Sequence, residues 1–300
     1  MQEAVVTVPA TTANLGPGFD CLGLALALHN QVRMKLGGSG LSVKITGEGS
    51  DLLPRDGSNL VVQAASAVFK RAGAPAGGLM VEQHNLIPIG SGLGSSAAAV
   101  IGGIAAANAL LGYPLTEETM LDLAVALEKH PDNVTPALFG GLTVTCSVDG
   151  RLHVDQLKMP PISVAIVLPK FDLPTAAARA ALPAVVPMAD AVFNIGRMGM
   201  LIPALLNSDF NKLSIAMQDR LHQSYRLPLI PGMAAAFDAA KEAGAKAVTL
   251  SGAGPSLAAF AAEGHDAIIS AARAAFADAG LETRAWTLPV ENNGIQIAFN

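Results

Sequence analysis

The stretch Pro88-Ile89-Gly90-Ser91-Gly92-Leu93-Gly94-Ser95-Ser96-Ala97-Ala98 sets glycine at three alternate positions and then runs into small, helix-favouring residues. Alternate glycines let the backbone turn into conformations closed to other residues and let a ligand approach the amides closely. The helix that follows begins with N–H groups that have no partners of their own, and its dipole favours negative charge there. Ser95 and Ser96 add hydroxyls able to bind phosphate oxygens or a metal, so the expected occupant is a polyphosphate. The plainer alternative is a strand-to-helix turn with Ser95 as its N-cap. The run has no Walker lysine, so it is not a P-loop, and no acidic residue follows at the spacing of a dinucleotide fingerprint.

Working outward, Leu86 to Thr116 carries no formally charged residue. Pro88, the three glycines and Pro114 break that stretch, and the uninterrupted part, Ala97–Leu111, is short for a bilayer and reads as a buried helix. Upstream, Val5–Val8 is β-branched, Pro9–Asp20 is turn-rich, Leu41–Ile45 and Leu79–His84 alternate as strands, and Asn59–Ala72 has helical spacing. Downstream, Thr116 caps a helix that ends near Glu128, and Leu142–Val148 is a strand with a turn at Asp149–Gly150. Pro160–Pro161 marks a crossover, which predicts two units, residues 1–158 and 159–300. The second holds strands at Ile162–Leu168, Ala247–Leu250, Leu257–Ala261 and Arg284–Leu288. Its helices are expected near Met188–Leu206, Asn211–Gln218, Pro231–Ala243 and Ala267–Ala279. Several neighbouring strands are linked too tightly for parallel crossovers, so the class is α+β.

Over 300 residues, half are apolar and 14% are charged, enough to bury a sizeable interior. The net charge of −5 leaves no basic excess for a nucleic-acid or anionic-membrane partner. Cys21 and Cys146 lack CxxC spacing and read as reduced thiols. The N-terminal MQEAVVTVPA has no basic n-region, so a cytoplasmic location is expected.

The glycine-rich string resembles the ATP-binding signature of the galactokinase, homoserine kinase, mevalonate kinase and phosphomevalonate kinase (GHMP) superfamily. Pro9-Ala10-Thr11-Thr12-Ala13-Asn14-Leu15-Gly16-Pro17-Gly18-Phe19-Asp20 is similar to its first motif, and Leu250-Ser251-Gly252-Ala253-Gly254-Pro255-Ser256 to its third. The resemblance implies a ribosomal-protein-S5-domain-2-like first unit, a ferredoxin-like second unit, and ATP and substrate in the cleft between them. It assigns Pro88 to Ala98 to ATP.

His130-Pro131-Asp132-Asn133-Val134-Thr135-Pro136-Ala137 resembles the homoserine-acting branch. That implies L-homoserine as acceptor, O-phospho-L-homoserine as product and a place in threonine biosynthesis. A carboxylate such as Asp132 suits an ammonium, and guanidinium groups grip a carboxylate in a fork. The resemblance places Arg179 and Arg226 in that clamp, with Asn14, Asp20, His130, Asn133 and Gly254 also against the acceptor. Mg²⁺ is expected on Glu128 with the hydroxyls of Ser95 and Ser96. Glu128, Ser96 and Asn14 are the expected catalytic residues, and no base is required where related kinases offer an aspartate at the position of Asn133. Two positions depart from the pattern: Lys129 stands where glycine is common, and Ser224 where proline is. The resemblance suggests a homodimer. Rival readings are a mevalonate-, shikimate- or diphosphocytidyl-type kinase, and a non-catalytic nucleotide-dependent sensor.

Overall fold

The computed structural model describes residues 3–75 and 77–299, so Met1 and Gln2 of the N-terminal stretch lie outside it. Strand β1 (Glu3–Ala13) runs well past the β-branched opening, and β2 (Leu22–Leu36) returns antiparallel beside it. Pro9 has no N–H to give a ladder, and the register slips between Pro9 and Ala10. The bulge carries the strand through a residue that reads as a turn former. Strand β3 (Leu41–Gly47), helix α1 (Leu60–Ala72) and strand β4 (Leu79–Asn85) form a crossover, and β3 and β4 lie parallel as a helical connection allows. Asn59 caps α1 by accepting from the Val61 N–H, and Gly73 ends it in the left-handed region.

Helix α2 (Ser95–Leu110) is buried almost all round, which settles the uncharged stretch as core. Its small residues permit close approach: a Cβ at Gly102 would meet the Val32 side chain at 2.7 Å, and one at Gly103 the Val61 carbonyl oxygen at 2.5 Å. Helix α3 (Glu117–Glu128) starts at Thr116, whose hydroxyl accepts from the Thr119 N–H. A short α4 (Val134–Phe139) and a hairpin, β5 (Leu142–Val148) and β6 (Arg151–Leu157), follow.

The chain then enters a second sheet through β7 (Ser163–Pro169). Helices α5 (Thr175–Ala180), α6 (Met188–Leu206), α7 (Phe210–Ala216) and α8 (Gln223–Arg226), a 3₁₀ turn and α9 (Met233–Glu242) lead to β8 (Ala247–Leu250) and β9 (Leu257–Phe260). Helix α10 (His265–Asp278) and β10 (Thr283–Pro289) complete a sheet of order β10-β7-β9-β8, antiparallel throughout. The last strand, β11 (Gln296–Phe299), crosses back to pair with β1, Ala4 opposite Phe299. The first sheet thus reads β11-β1-β2-β4-β3, with β5 on β2 and β6 on β5. Apart from β3–β4, the strand pairs are antiparallel, and the α+β class holds. One apolar cluster packs α1 and α2 on the first sheet and takes in Leu201, Ala204 and Leu205 of α6. A second cluster joins α9 and α10 to the other sheet. By length and composition α6 is also apolar enough to cross a membrane, although Pro203 interrupts it and its C-terminal turn sits in the core.

Candidate active site

Gly90, Gly92 and Gly94 all adopt left-handed backbone, with φ of 64°, 78° and 72°. At Gly92 the need for glycine is also spatial, because an added Cβ would sit 2.3 Å from the Ser251 carbonyl oxygen and 2.8 Å from that of Gly254. Gly94, not Ser95, holds the N-cap position of α2, and it supplies no side chain to cover the first helical amides. The plain turn-and-cap reading of Ser95 therefore does not describe this loop. The Ser95 hydroxyl donates back to the Ile87 carbonyl at 3.3 Å, while the Ser96 hydroxyl donates to Glu128.

The three motifs meet around this loop. Thr11 N–H donates to the Leu93 carbonyl at 3.0 Å, Gly252 N–H to Ala13 at 3.2 Å and Ser256 N–H to Ser91 at 3.2 Å. The Ser251 hydroxyl bonds the Gly92 carbonyl at 2.7 Å. Asn14, itself left-handed with φ 70°, donates to the Gly252 carbonyl at 2.9 Å and accepts from the Asp20 N–H at 2.9 Å. Its amide is a clip between the first and third motifs.

These segments line one cleft of about 890 Å³ that holds Gly90–Gly92, Gly94–Ala97, Asn14, Asp20, Glu128, His130, Asp132, Asn133, Arg179, Arg226 and Gly254. Asp132 is 4% exposed, and among the described residues no cation pairs with it. Burial, and after it the charge of Asp20, pushes its carboxyl up to about 7. Asp20 is already engaged, since Arg179 Nη2 reaches its two oxygens at 2.7 and 2.8 Å. The same nitrogen lies 3.2 Å from His130 Nδ1, and Arg179 Nε is buried with no partner. Burial, then the Arg179 charge, lowers the His130 pKa, which favours the neutral ring. Arg226 is 2% exposed and donates from Nε to the Ala178 carbonyl at 3.2 Å. Thr11 Oγ1 donates to Asn133 Oδ1 at 2.8 Å, which leaves the Asn133 NH₂ group on the side of Asp132.

Burial raises the Glu128 pKa, and the bond from Ser96 opposes that rise. One carboxylate and one hydroxyl at the mouth of the glycine loop form a hard oxygen donor pair, the residue chemistry that Mg²⁺ would accept. Lys129 ends α3 with φ 72°, a left-handed C-cap position that glycine suits better. Lys129→Gly is therefore expected to raise the unfolding midpoint by about 2 °C in a thermal melt. Ser224 is exposed in the first turn of α8, where proline is tolerated, and does not line the cleft. Sequence reasoning singled out neither Thr11 nor the cleft residues Leu53, Pro54, Asn59, Gln83 and Asn85. The bonds of Thr11 to Asn133, Gln83 to Asn59 and Asn85 to Glu48 join separate segments, and no local pattern marks these residues as cleft residues.

Residues 59–141 match the family description "GHMP kinases N terminal domain", and residues 201–278 match "GHMP kinases C terminal". The chain belongs to the GHMP kinase family. Within that family its relatives include the homoserine kinase of Moorella thermoacetica, 47% identical with 97% of this chain and 98% of the other covered. The homoserine kinase of Carboxydothermus hydrogenoformans is 43% identical over 97% and 96% of the two chains. Among solved structures, the homoserine kinase of Cytophaga hutchinsonii superposes with a TM-score of 0.88 at 32% identity, covering 99% of this chain and 97% of that one.

Proposed function

We propose that this chain transfers the γ-phosphoryl group of ATP to the terminal hydroxyl of L-homoserine, giving O-phospho-L-homoserine and ADP. The observation that carries the reading is Asp132, a buried carboxylate without a cation, in one cleft with two guanidinium groups and a glycine loop opening on a helix start. An amino acid completes that arrangement, because its ammonium meets Asp132 and its carboxylate meets Arg179 and Arg226. Mevalonate brings no ammonium and would leave Asp132 unsatisfied.

The amides of Gly92 and of Gly94 to Ser96 receive the polyphosphate, the Leu93 N–H being spent on Ser91 Oγ, and the acceptor hydroxyl is held in line with the γ-phosphorus. The new P–O bond forms as the bond to the β,γ-bridging oxygen breaks, and the hydroxyl proton goes to a phosphate oxygen or to water. Positioning and charge neutralisation do most of this work. Asn133, an amide, takes no proton and donates from its NH₂ group. Glu128 and Ser96 would hold Mg²⁺, which when bound neutralises charge on the β- and γ-phosphates. The two substrates are small molecules, and the reading needs neither nucleic acid nor membrane. We also take the cytoplasm as its place, a dimer as its assembly, and residue 158 as the division between its two units.

A coupled ADP-release assay across homoserine, mevalonate, shikimate and a diphosphocytidyl alcohol tests the substrate. Homoserine turnover is expected; turnover of mevalonate alone would sink the assignment, and nucleotide binding without any phosphorylated product would favour a sensor. Arg179→Ala is expected to raise the homoserine KM about thirtyfold and to leave the ATP KM within about twofold.

A further inference from the structure

His222 is fully buried, and nothing in the reaction above uses it. Its ring lies between two of the groups that shape the acceptor end of the cleft. Nε2 is 2.8 Å from the Gly16 carbonyl oxygen, with Asp219 Oδ2 at 3.6 Å, and Nδ1 is 3.4 Å from Arg226 Nη1. A carbonyl oxygen can only accept and a guanidinium can only donate. The proton therefore belongs on Nε2 and the lone pair on Nδ1, so the ring is the neutral Nε2–H tautomer. Burial, the largest influence on this ring, favours the same neutral form.

The ring also stacks on Phe19, centroids 5.1 Å apart at 26°. Phe19 in turn lies 5.1 Å from the Arg226 guanidinium and 5.4 Å from that of Arg179. The backbone around His222 is fixed independently. Asp219, whose side chain is also buried, accepts from the N–H groups of Leu221 (2.9 Å), His222 (3.0 Å) and Gln223 (2.7 Å) and from Asn194 Nδ2 (2.7 Å). Asp219 thus anchors α8, and the imidazole is free to act on what it touches.

We propose that His222 is a positioning residue for the acceptor: it ties the Gly16–Asp20 turn to Arg226 and so sets the separation of the two guanidinium groups that grip the carboxylate. This deepens the homoserine reading and rests on it. His222 touches no reacting atom, so its loss acts through Arg226 on acceptor binding and not on nucleotide binding.

Two variants separate the ring's two bonds. His222→Asn keeps an acceptor near the place of Nδ1 and loses the reach to Gly16. His222→Gln keeps a donor near the place of Nε2 and loses the Nδ1 acceptor, so that Arg226 Nη1 keeps the Gly252 carbonyl at 3.4 Å. Because the tie needs both ends, each variant raises the homoserine KM, His222→Gln about tenfold through the lost bond to Arg226 and His222→Asn about fivefold through the lost bond to Gly16, with the ATP KM unmoved in both. In an Arg226→Ala background, His222→Gln adds nothing further, because the group it acts through is gone. Additive losses in that cycle, or homoserine and ATP KM values that rise together, overturn the inference and leave the substrate assignment standing. A wild type that does not turn over homoserine overturns both. Should the variants not fold, ¹⁵N NMR of the wild-type imidazole decides. An Nε2–H ring with an unprotonated Nδ1 near neutral pH supports the role, and an Nδ1–H ring or an imidazolium ends it.

Discussion

Asp132→Asn is expected to raise the homoserine KM about a hundredfold, leave the ATP KM in place, and make the free protein more stable at pH 8. Both effects come from one circumstance. The carboxyl is buried without a cation and pushed up to about 7, well above the 3.8 of an unhindered aspartate. Because the folded-state value is the higher one, the folded protein binds the extra proton between those values. The associated stability is fully present below pH 3.8 and is lost as pH rises through 7. At pH 8 the wild type carries a desolvated charge that asparagine removes, a gain of about 4 kcal/mol read as a higher unfolding midpoint. The acceptor's ammonium requires the ionised form, so kcat/KM for homoserine should fall about tenfold per unit as pH drops below 7. The same profile taken with the asparagine variant should lack that inflection. A variant that is both unstable and unaltered in homoserine KM would remove Asp132 from the acceptor site.

The second large effect is expected at Gly92. Valine there must take a φ of 78° and place its Cβ 2.3 Å from the Ser251 carbonyl oxygen, backbone that cannot swing aside. Either the loop shifts or the third motif moves off it, and in both cases the amides that face the polyphosphate lose their arrangement. Gly92→Val should lower kcat/KM for ATP by about a thousandfold, whatever the acceptor, and cost about 3 kcal/mol of stability in a denaturant titration. Gly112, also left-handed but with no atom within 4 Å of an added Cβ, supplies the comparison: Gly112→Ala strains the backbone alone and should leave ATP kinetics unchanged.

Local patterns in the chain carried much of this fold. Met188–Leu206, Leu142–Val148 and Ala247–Leu250 form the elements their spacing indicates, with the same bounds, and Asn59 and Thr116 cap helices with their side chains. Strand β2 did not stand out, because Leu22–Leu28 is a nearly continuous apolar run that fits a strand or a buried helix equally well. Its long pairing with β1 decides the matter. The helices α4, α5 and α8 are too short to show a period, and contacts around the cleft hold them. At the site, the glycine loop was legible because backbone chemistry writes itself into composition. The Thr11–Asn133, Asn14–Gly252 and His222–Gly16 bonds were not, since each joins residues more than a hundred positions apart.

The return of β11 to β1 has a bearing on synthesis. As the chain leaves the ribosome, β1 emerges ahead of the other elements described here, and the strand that covers its outer side appears after all of them. Until then β1 presents a row of open amides and carbonyls beside Val5 and Val6, the kind of border that other chains adhere to. Crowded translation should therefore favour aggregation of nascent chains at that border, and a holdase that shields the emerging amino-terminal strand should improve the yield of folded protein.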